Sequence, residues 1–342
     1  MLQYRFKNSN MKKTRIGILG CASIAKRSVI PAIQNLPEHF ELAAIASRSQ
    51  DKAEELADVF GTEAIVGYDN LLDRSDIDAV YMPLPTGIHH QWITKALQAG
   101  KHVLAEKSLA MDYSSAMELV EMARSGKLLL MENFMFRHHA QHEVVWNILA
   151  EKRLGDIRLF RSQFGFPPLT KDNFRYDKNI GGGALLDAGA YTARASQWFL
   201  GPDLEVATAT LYFDSDRGSD IHGNATLINP QGLVAQISYG FDNSYQCNYE
   251  IWGSKGYLVA KKAFTPKPDE KPVMVLEQNG ASTMLETRAD NHFVNILKAF
   301  ATGVATGDHE THLKDILDQS RILDQIRTRS IKHKYESSST WM

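Results

Sequence analysis

A lysine, an aspartate and a tyrosine stand where they can act on a carbonyl group. Lys107 lies in Ala105-Glu106-Lys107-Ser108, at the end of an apolar strand-like run. An ammonium there can orient a carbonyl oxygen and stabilise the charge that develops on it. Asp187 and Tyr191 lie in Gly181-Gly182-Gly183-Ala184-Leu185-Leu186-Asp187-Ala188-Gly189-Ala190-Tyr191. The three glycines permit close backbone approach, and residues four apart on a helix share a face. A phenol near an ammonium has its charged form favoured, which makes it a better proton shuttle near neutral pH. The plain alternative is a buried tyrosine hydrogen-bonded to Asp187 one turn back. No metal chemistry is expected, since His138-His139-x-x-His142 has no accompanying cysteine or carboxylate pattern of known spacing.

Such a reduction needs a hydride source, and the N-terminal third offers a place for one. Gly20-Cys21-Ala22-Ser23-Ile24-Ala25 joins a strand to a helix, where a dinucleotide pyrophosphate rests on free N–H groups. Ala22 replaces the second glycine of the usual fingerprint, so the turn's position in the fold carries more weight than its residues. About twenty residues on, where an acid would hold the ribose of NAD, the chain has Ser47, Arg48 and Ser49. With no carboxylate to repel a 2′-phosphate and a guanidinium to receive it, the expected cofactor is NADP(H). Pro83, Leu84 and Pro85 form a rigid loop behind the strand at Asp78–Tyr81, at the edge where ligands bind, and His89 follows. Glu106 and Lys107 lie at the same edge.

The elements that must position these residues follow from the apolar pattern. From Thr14 onward RIGILG, ELAAIAS, DAVYMPLP, HVLAE and LLLMENF alternate with helical segments, which predicts βαβ units and a doubly wound parallel sheet. Beyond Arg137 the rhythm changes to longer runs such as IRLFRSQFGF, VATATLYF, LVAQISYGF and YQCNYEIWG, separated by turn signals. These predict a mostly antiparallel sheet, with helices near 144–150 and 184–200 and two more closing the chain. The expected division is an extension over 1–12, an NADP-binding domain over 13–128 and a second α/β domain over 129–342. The last helix is expected to pack back on the first domain.

The 342 residues carry 38 basic and 40 acidic side chains, so the charge is nearly balanced and no nucleic-acid or membrane-surface partner is expected. Cys21 and Cys247 are too few for a disulfide framework. A cytoplasmic setting and a small-molecule partner are expected.

Three stretches, GILGCASIAKRSVIPAI, GYDNLLDRSDIDAVYMPLPTGIHHQWITKALQAGKHVLAEKS and GGGALLDAGAY followed by WFLG, resemble the glucose-fructose oxidoreductase and inositol dehydrogenase family. Within it, ENFMFRHH and GFPPLTKDNFRYDKNIGGGALLDAGAY look most like the nucleotide-linked sugar 3-ketoreductases of deoxysugar pathways. The resemblance implies an NADPH-dependent reduction of a keto-sugar, with position 3 of the sugar resting on the likeness alone. It implies that Lys107 is the active-site lysine of an E-K-P motif, Tyr191 the proton donor and Asp187 their acidic partner. Asn133, Arg137, Phe174, Arg175 and Tyr176 become candidate substrate contacts, and the open face of the second sheet an interface for a homodimer or homotetramer. Ser108 in place of the motif's proline removes its built-in tendency toward a cis peptide. Tyr191 in place of the histidine of inositol-type dehydrogenases favours the keto-reducing branch. The rival readings are an NADP-dependent aldose or trans-dihydrodiol dehydrogenase and a non-catalytic dinucleotide or sugar sensor.

Overall fold

A computed structural model describes residues 12–335. The expected extension over 1–12 therefore lies, Lys12 apart, outside the described residues.

The first layer is a parallel sheet of six strands: β1 Thr14–Leu19, β2 Phe40–Ser47, β3 Glu63–Val66, β4 Ala79–Met82, β5 His102–Ala105 and β6 Leu130–Glu132. Their order is β3-β2-β1-β4-β5-β6, with every pair parallel. This is the dinucleotide-binding arrangement, in which direction of winding reverses between β1 and β4 and leaves a crevice at their carboxyl ends. The strands are nearly continuous apolar runs because helices cover both faces: Ile16, Ile18, Val80, Tyr81, Val103 and Leu104 are all fully buried. The helices are α1 Ile30–Gln34, α2 Gln50–Phe60, α3 Tyr68–Leu72, α4 His89–Gln98 and α5 Tyr113–Gly126. Gly61 ends α2 in the left-handed conformation at φ 65°, as its place after Val59-Phe60 predicts. The boundary drawn at residue 128 falls one strand early, because β6 pairs with β5 and completes this sheet.

The second sheet has nine strands in the order β14-β13-β12-β11-β7-β10-β9-β8-β15. They are β7 Ile157–Gly165, β8 Glu205–Phe213, β9 Asp220–Ile228, β10 Val234–Gly240, β11 Gln246–Gly253, β12 Gly256–Ala260, β13 Val273–Gln278, β14 Ala281–Glu286 and β15 Ile331–Lys334. Most pairs are antiparallel, but β10 runs parallel to β7 and β15 parallel to β8. Along β10, Ala235, Ile237 and Tyr239 are buried while Gln236 and Ser238 are exposed, so one face of the sheet is packed and the other open.

The packed face is covered by α6 Gln141–Ala150 and α7 Ala190–Leu200, and α8 His292–Thr306 and α9 Glu310–Arg329 bridge toward the first domain. Helix α9 packs back on that domain: Leu313 and Ile316 join its core, and Arg124 Nη2 meets Glu310 Oε1 at 2.8 Å. No helix among the described residues is long and apolar enough to cross a membrane.

Candidate active site

Two helices begin with π-helical turns, Ala25–Val29 after β1 and Leu185–Gly189 before α7. Both turns lie at the predicted site, in keeping with the tendency of such turns to occur where function needs a backbone displaced from ordinary helix geometry.

At the first, Gly20 has φ 119°, a conformation closed to most side chains, and a Cβ there would come within 2.9 Å of Leu84 Cδ2. The turn is thus bare backbone facing the loop of Pro83, Leu84 and Pro85. The first intrahelical bond runs from Lys26 N–H to Ala22 O at 3.2 Å, so the amides of Ala22, Ser23 and Ile24 precede it and have no partner within the helix. Cys21 Sγ donates to Lys52 O at 3.2 Å and ties the turn to α2. Ser47 is buried at the end of β2, and Arg48 is exposed beside Tyr68. A dinucleotide fits these residues: open backbone for a pyrophosphate, an exposed guanidinium for a 2′-phosphate and no acid in the way.

At the second turn the three chemical residues come together. The Lys107 ammonium donates to a carboxylate oxygen of Asp187 and, at 3.2 Å, to its backbone carbonyl. The other carboxylate oxygen accepts from Arg175 Nε at 2.6 Å. Burial pushes the Asp187 carboxyl up, but Lys107 and Arg175 outweigh it and hold it down at about 2. The Lys107 Nζ also sits 5.0 Å from the centroid of the Tyr191 ring. Asp220 supports the turn from β9, accepting the Leu185 N–H at 2.6 Å. A Cβ on Gly183, at φ 125°, would meet the Asp220 carboxylate at 2.2 Å, so only glycine fits.

Several expectations are corrected. Lysine was expected to favour the charged form of Tyr191; instead burial pushes its pKa well above the ordinary value, with Glu106 and Asp187 adding to the rise. The ring is enclosed by Phe134, Phe136, Phe164 and Phe264, and its hydroxyl lies 3.7 Å from Met135 Sδ. Despite Ser108, the Lys107–Ser108 peptide is cis.

Among the expected contacts, Asn133 is fully buried and donates to Glu106 at 2.5 Å, which also accepts from Tyr81 at 2.7 Å. Glu106 and Asn133 therefore bind the ends of β4, β5 and β6 to one another. Arg137 pairs with Asp315 at 2.6 Å and lies over Trp198, lining a separate cavity of about 870 Å³ that none of Lys107, Asp187 or Tyr191 borders. Tyr176 is buried and takes the Leu169 N–H at 2.9 Å. His89 is completely enclosed, its ring among three backbone carbonyls. Phe174 stays exposed and Arg175 stays at the site.

Tyr81, Asp220 and Asp315 escaped the sequence reading. Tyr81 left one signal, a phenol in an otherwise apolar buried strand, whose hydroxyl needs a partner.

The segment carrying Phe174 and Arg175 crosses to the first domain. A Cβ on Gly87 would lie 2.5 Å from the Ile180 backbone, and one on Gly181 2.7 Å from Gly87 N, so the two glycines allow backbone to touch backbone beside the site.

The chain belongs to the GFO/IDH/MocA oxidoreductase family, with an NAD-binding Rossmann model matching residues 14–134 and the family's C-terminal domain matching 142–259. It is 43% identical over 321 residues to dTDP-3,4-didehydro-2,6-dideoxy-alpha-D-glucose 3-reductase of Actinomadura kijaniata, covering 94% of this chain and 96% of that one. It is 33% identical over 327 residues to D-xylose 1-dehydrogenase (NADP(+)) 2 of Haloferax volcanii, covering 95% and 97%. A crystal structure of a 3-ketoreductase from Actinomadura kijaniata with NADP and TDP-benzene superposes with a TM-score of 0.92 at 42% identity, covering 95% of this chain and all of that one.

Proposed function

We propose that this chain reduces the 3-keto group of a dTDP-linked deoxyhexose with NADPH, using Lys107 to polarise the ketone and Tyr191 to return a proton. The observation that carries this reading is the Lys107 ammonium, fixed on Asp187 and 5.0 Å from the Tyr191 ring centroid, at the carboxyl end of β5. Similarity to a named dTDP-sugar 3-reductase over nearly the whole chain supports the substrate class.

Gly20 to Ile24 would hold the cofactor's pyrophosphate, with Ser47 and Arg48 at its 2′-phosphate. When bound, NADPH supplies the hydride that the ketone carbon accepts. Lys107 then neutralises the charge growing on the oxygen, and a phenol fully protonated across the working pH range has a proton to give. Asp187 keeps the ammonium aimed. Arg175, shared between Asp187 and the surface, is placed to meet a sugar hydroxyl or a phosphate. The exposed sheet face, which includes Trp252 and Arg161, would join protomers of a homodimer or homotetramer.

Tyr191→Phe separates the two acid candidates. Loss of kcat of about a hundred-fold assigns the proton to the phenol; a loss below about ten-fold moves it to Lys107. The second reading, oxidation of a free aldose with NADP, is favoured by the similarity to the xylose dehydrogenase and is tested by NADP reduction with pentoses and hexoses.

A further inference from the structure

Ser108 follows Lys107 in the loop after β5 and is 2% exposed. Its hydroxyl reaches across to the second domain, where Ser108 Oγ donates to Leu186 O at 2.9 Å. The Lys107 ammonium donates to the next carbonyl, Asp187 O, at 3.2 Å, and to the Asp187 carboxylate. Neighbouring side chains of one loop thus grip successive carbonyls of one π-helical turn, Leu185–Gly189. A carbonyl oxygen has two lone pairs, so it can take a side-chain donor beside a backbone one.

Both ends of the serine's bond are anchored. In the first domain, Ser108 O lies 3.1 Å from His89 Nδ1 at the start of α4, and the Leu109 N–H donates to Glu132 Oε1 at 2.8 Å at the end of β6. In the second, Asp220 of β9 accepts the Leu185 N–H at 2.6 Å. The turn also lies tightly on β10: a Cβ on Gly189 would come within 3.1 Å of the Tyr239 ring. The hydroxyl therefore joins two fixed pieces of backbone through one short side chain. The lysine reaches the same turn through a flexible four-carbon stem, which costs more rotamer freedom to hold still. Its tip is aimed only as well as its backbone is placed.

We propose that Ser108 is a positioning residue: its hydroxyl fastens the loop after β5 to the Leu185–Gly189 turn and so fixes the backbone from which Lys107 reaches its target. The inference rests on the proposed function only for the role of Lys107. Without the hydroxyl, the Leu186 carbonyl loses a buried donor, and the loop meets the turn here through the longer, looser arm of the lysine. A displacement of about 1 Å at a catalytic group can slow a reaction about a hundred-fold.

The test is Ser108→Ala beside Ser108→Cys, each read by steady-state kinetics and by hydrogen exchange of the full chain. Ser108→Ala removes one oxygen atom and adds nothing. Its kcat should fall about ten-fold with KM for NADPH within about two-fold. Amide exchange across residues 183–191, followed by mass spectrometry, should quicken about five-fold. Ser108→Cys fills the serine's space, but a thiol donates weakly, so it should lose kcat as Ser108→Ala does. Wild-type kcat in Ser108→Ala, unchanged exchange over 183–191, or full rate in Ser108→Cys overturns the proposal. So does a fall in kcat that urea unfolding traces to unfolded protein, since the serine would then support the fold without aiming the lysine. If the wild type reduces no keto-sugar, the proposed function fails, and the exchange result still decides whether Ser108 fastens the two domains.

Discussion

Asp187→Asn is the substitution whose effects the site's geometry fixes most closely. The carboxylate holds Lys107 with one oxygen and Arg175 with the other. Its pKa falls from 3.8 to about 2 because burial, which alone would raise it, is outweighed by the two cations. A depression of that size corresponds to about 2 kcal/mol of folded-state stability. The sign follows from the direction: this contribution is fully present above the unfolded value near 4 and is lost as pH falls toward 2. An amide still accepts one hydrogen bond but leaves two partly buried cations facing each other without a counter-charge. Asp187→Asn should therefore lower stability at pH 7 by about 2 kcal/mol, and this deficit should shrink on acidification through the pH 4 to 2 window. Because Lys107 is no longer held, kcat should drop by about ten- to a hundred-fold with a smaller change in KM for NADPH. Urea unfolding at several pH values and steady-state kinetics read both effects. A variant with wild-type kcat, or with a stability deficit that grows on acidification, would show that Asp187 does not hold Lys107 in this way.

Two further substitutions address the cofactor turn and the segment that carries Arg175. If Arg48 receives the 2′-phosphate as proposed, Arg48→Ala should raise KM for NADPH about ten- to a hundred-fold and leave NADH use unchanged or improved, since only NADPH would lose a charge-assisted contact; parallel kinetics with both cofactors check it. Gly87→Ala places a Cβ 2.5 Å from the Ile180 backbone, so the segment bearing Arg175 must shift. KM for the sugar substrate should then rise about ten-fold while NADPH affinity, read by fluorescence titration, stays within about two-fold.

The sequence revealed the first domain well because buried parallel strands leave unbroken apolar runs between helices, and β1 through β6 all lie in such runs. It missed β15, whose Ile331-Lys332-His333-Lys334 is exposed throughout and is a strand only through parallel pairing with β8. The parallel pairing of β10 with β7 was equally hidden, since local pattern specifies a face and not a neighbour. Lys107, Asp187 and Tyr191 were legible because each sits at an element boundary with a chemical type that suits a carbonyl. The partners of Asn133, Arg137 and Tyr176, namely Glu106, Asp315 and the Leu169 N–H, were hidden for a related reason: nothing local tells which way a side chain turns. Asp220 and Asp315 arrive from distant elements and leave no local motif. The pKa of Tyr191 was misjudged in sign because the ammonium was foreseen and the four phenylalanines around the ring were not.

NADPH consumption with a dTDP-linked 3-keto deoxyhexose, wild type against Lys107→Ala, tests the proposed reduction and the role of the lysine together. The expected result is stoichiometric oxidation of NADPH with appearance of the 3-hydroxy sugar, and a loss of kcat in the variant of about a hundred- to a thousand-fold. A wild-type enzyme inert toward the 3-keto sugar but reducing NADP with free aldoses, or a Lys107→Ala variant of undiminished rate, would contradict it.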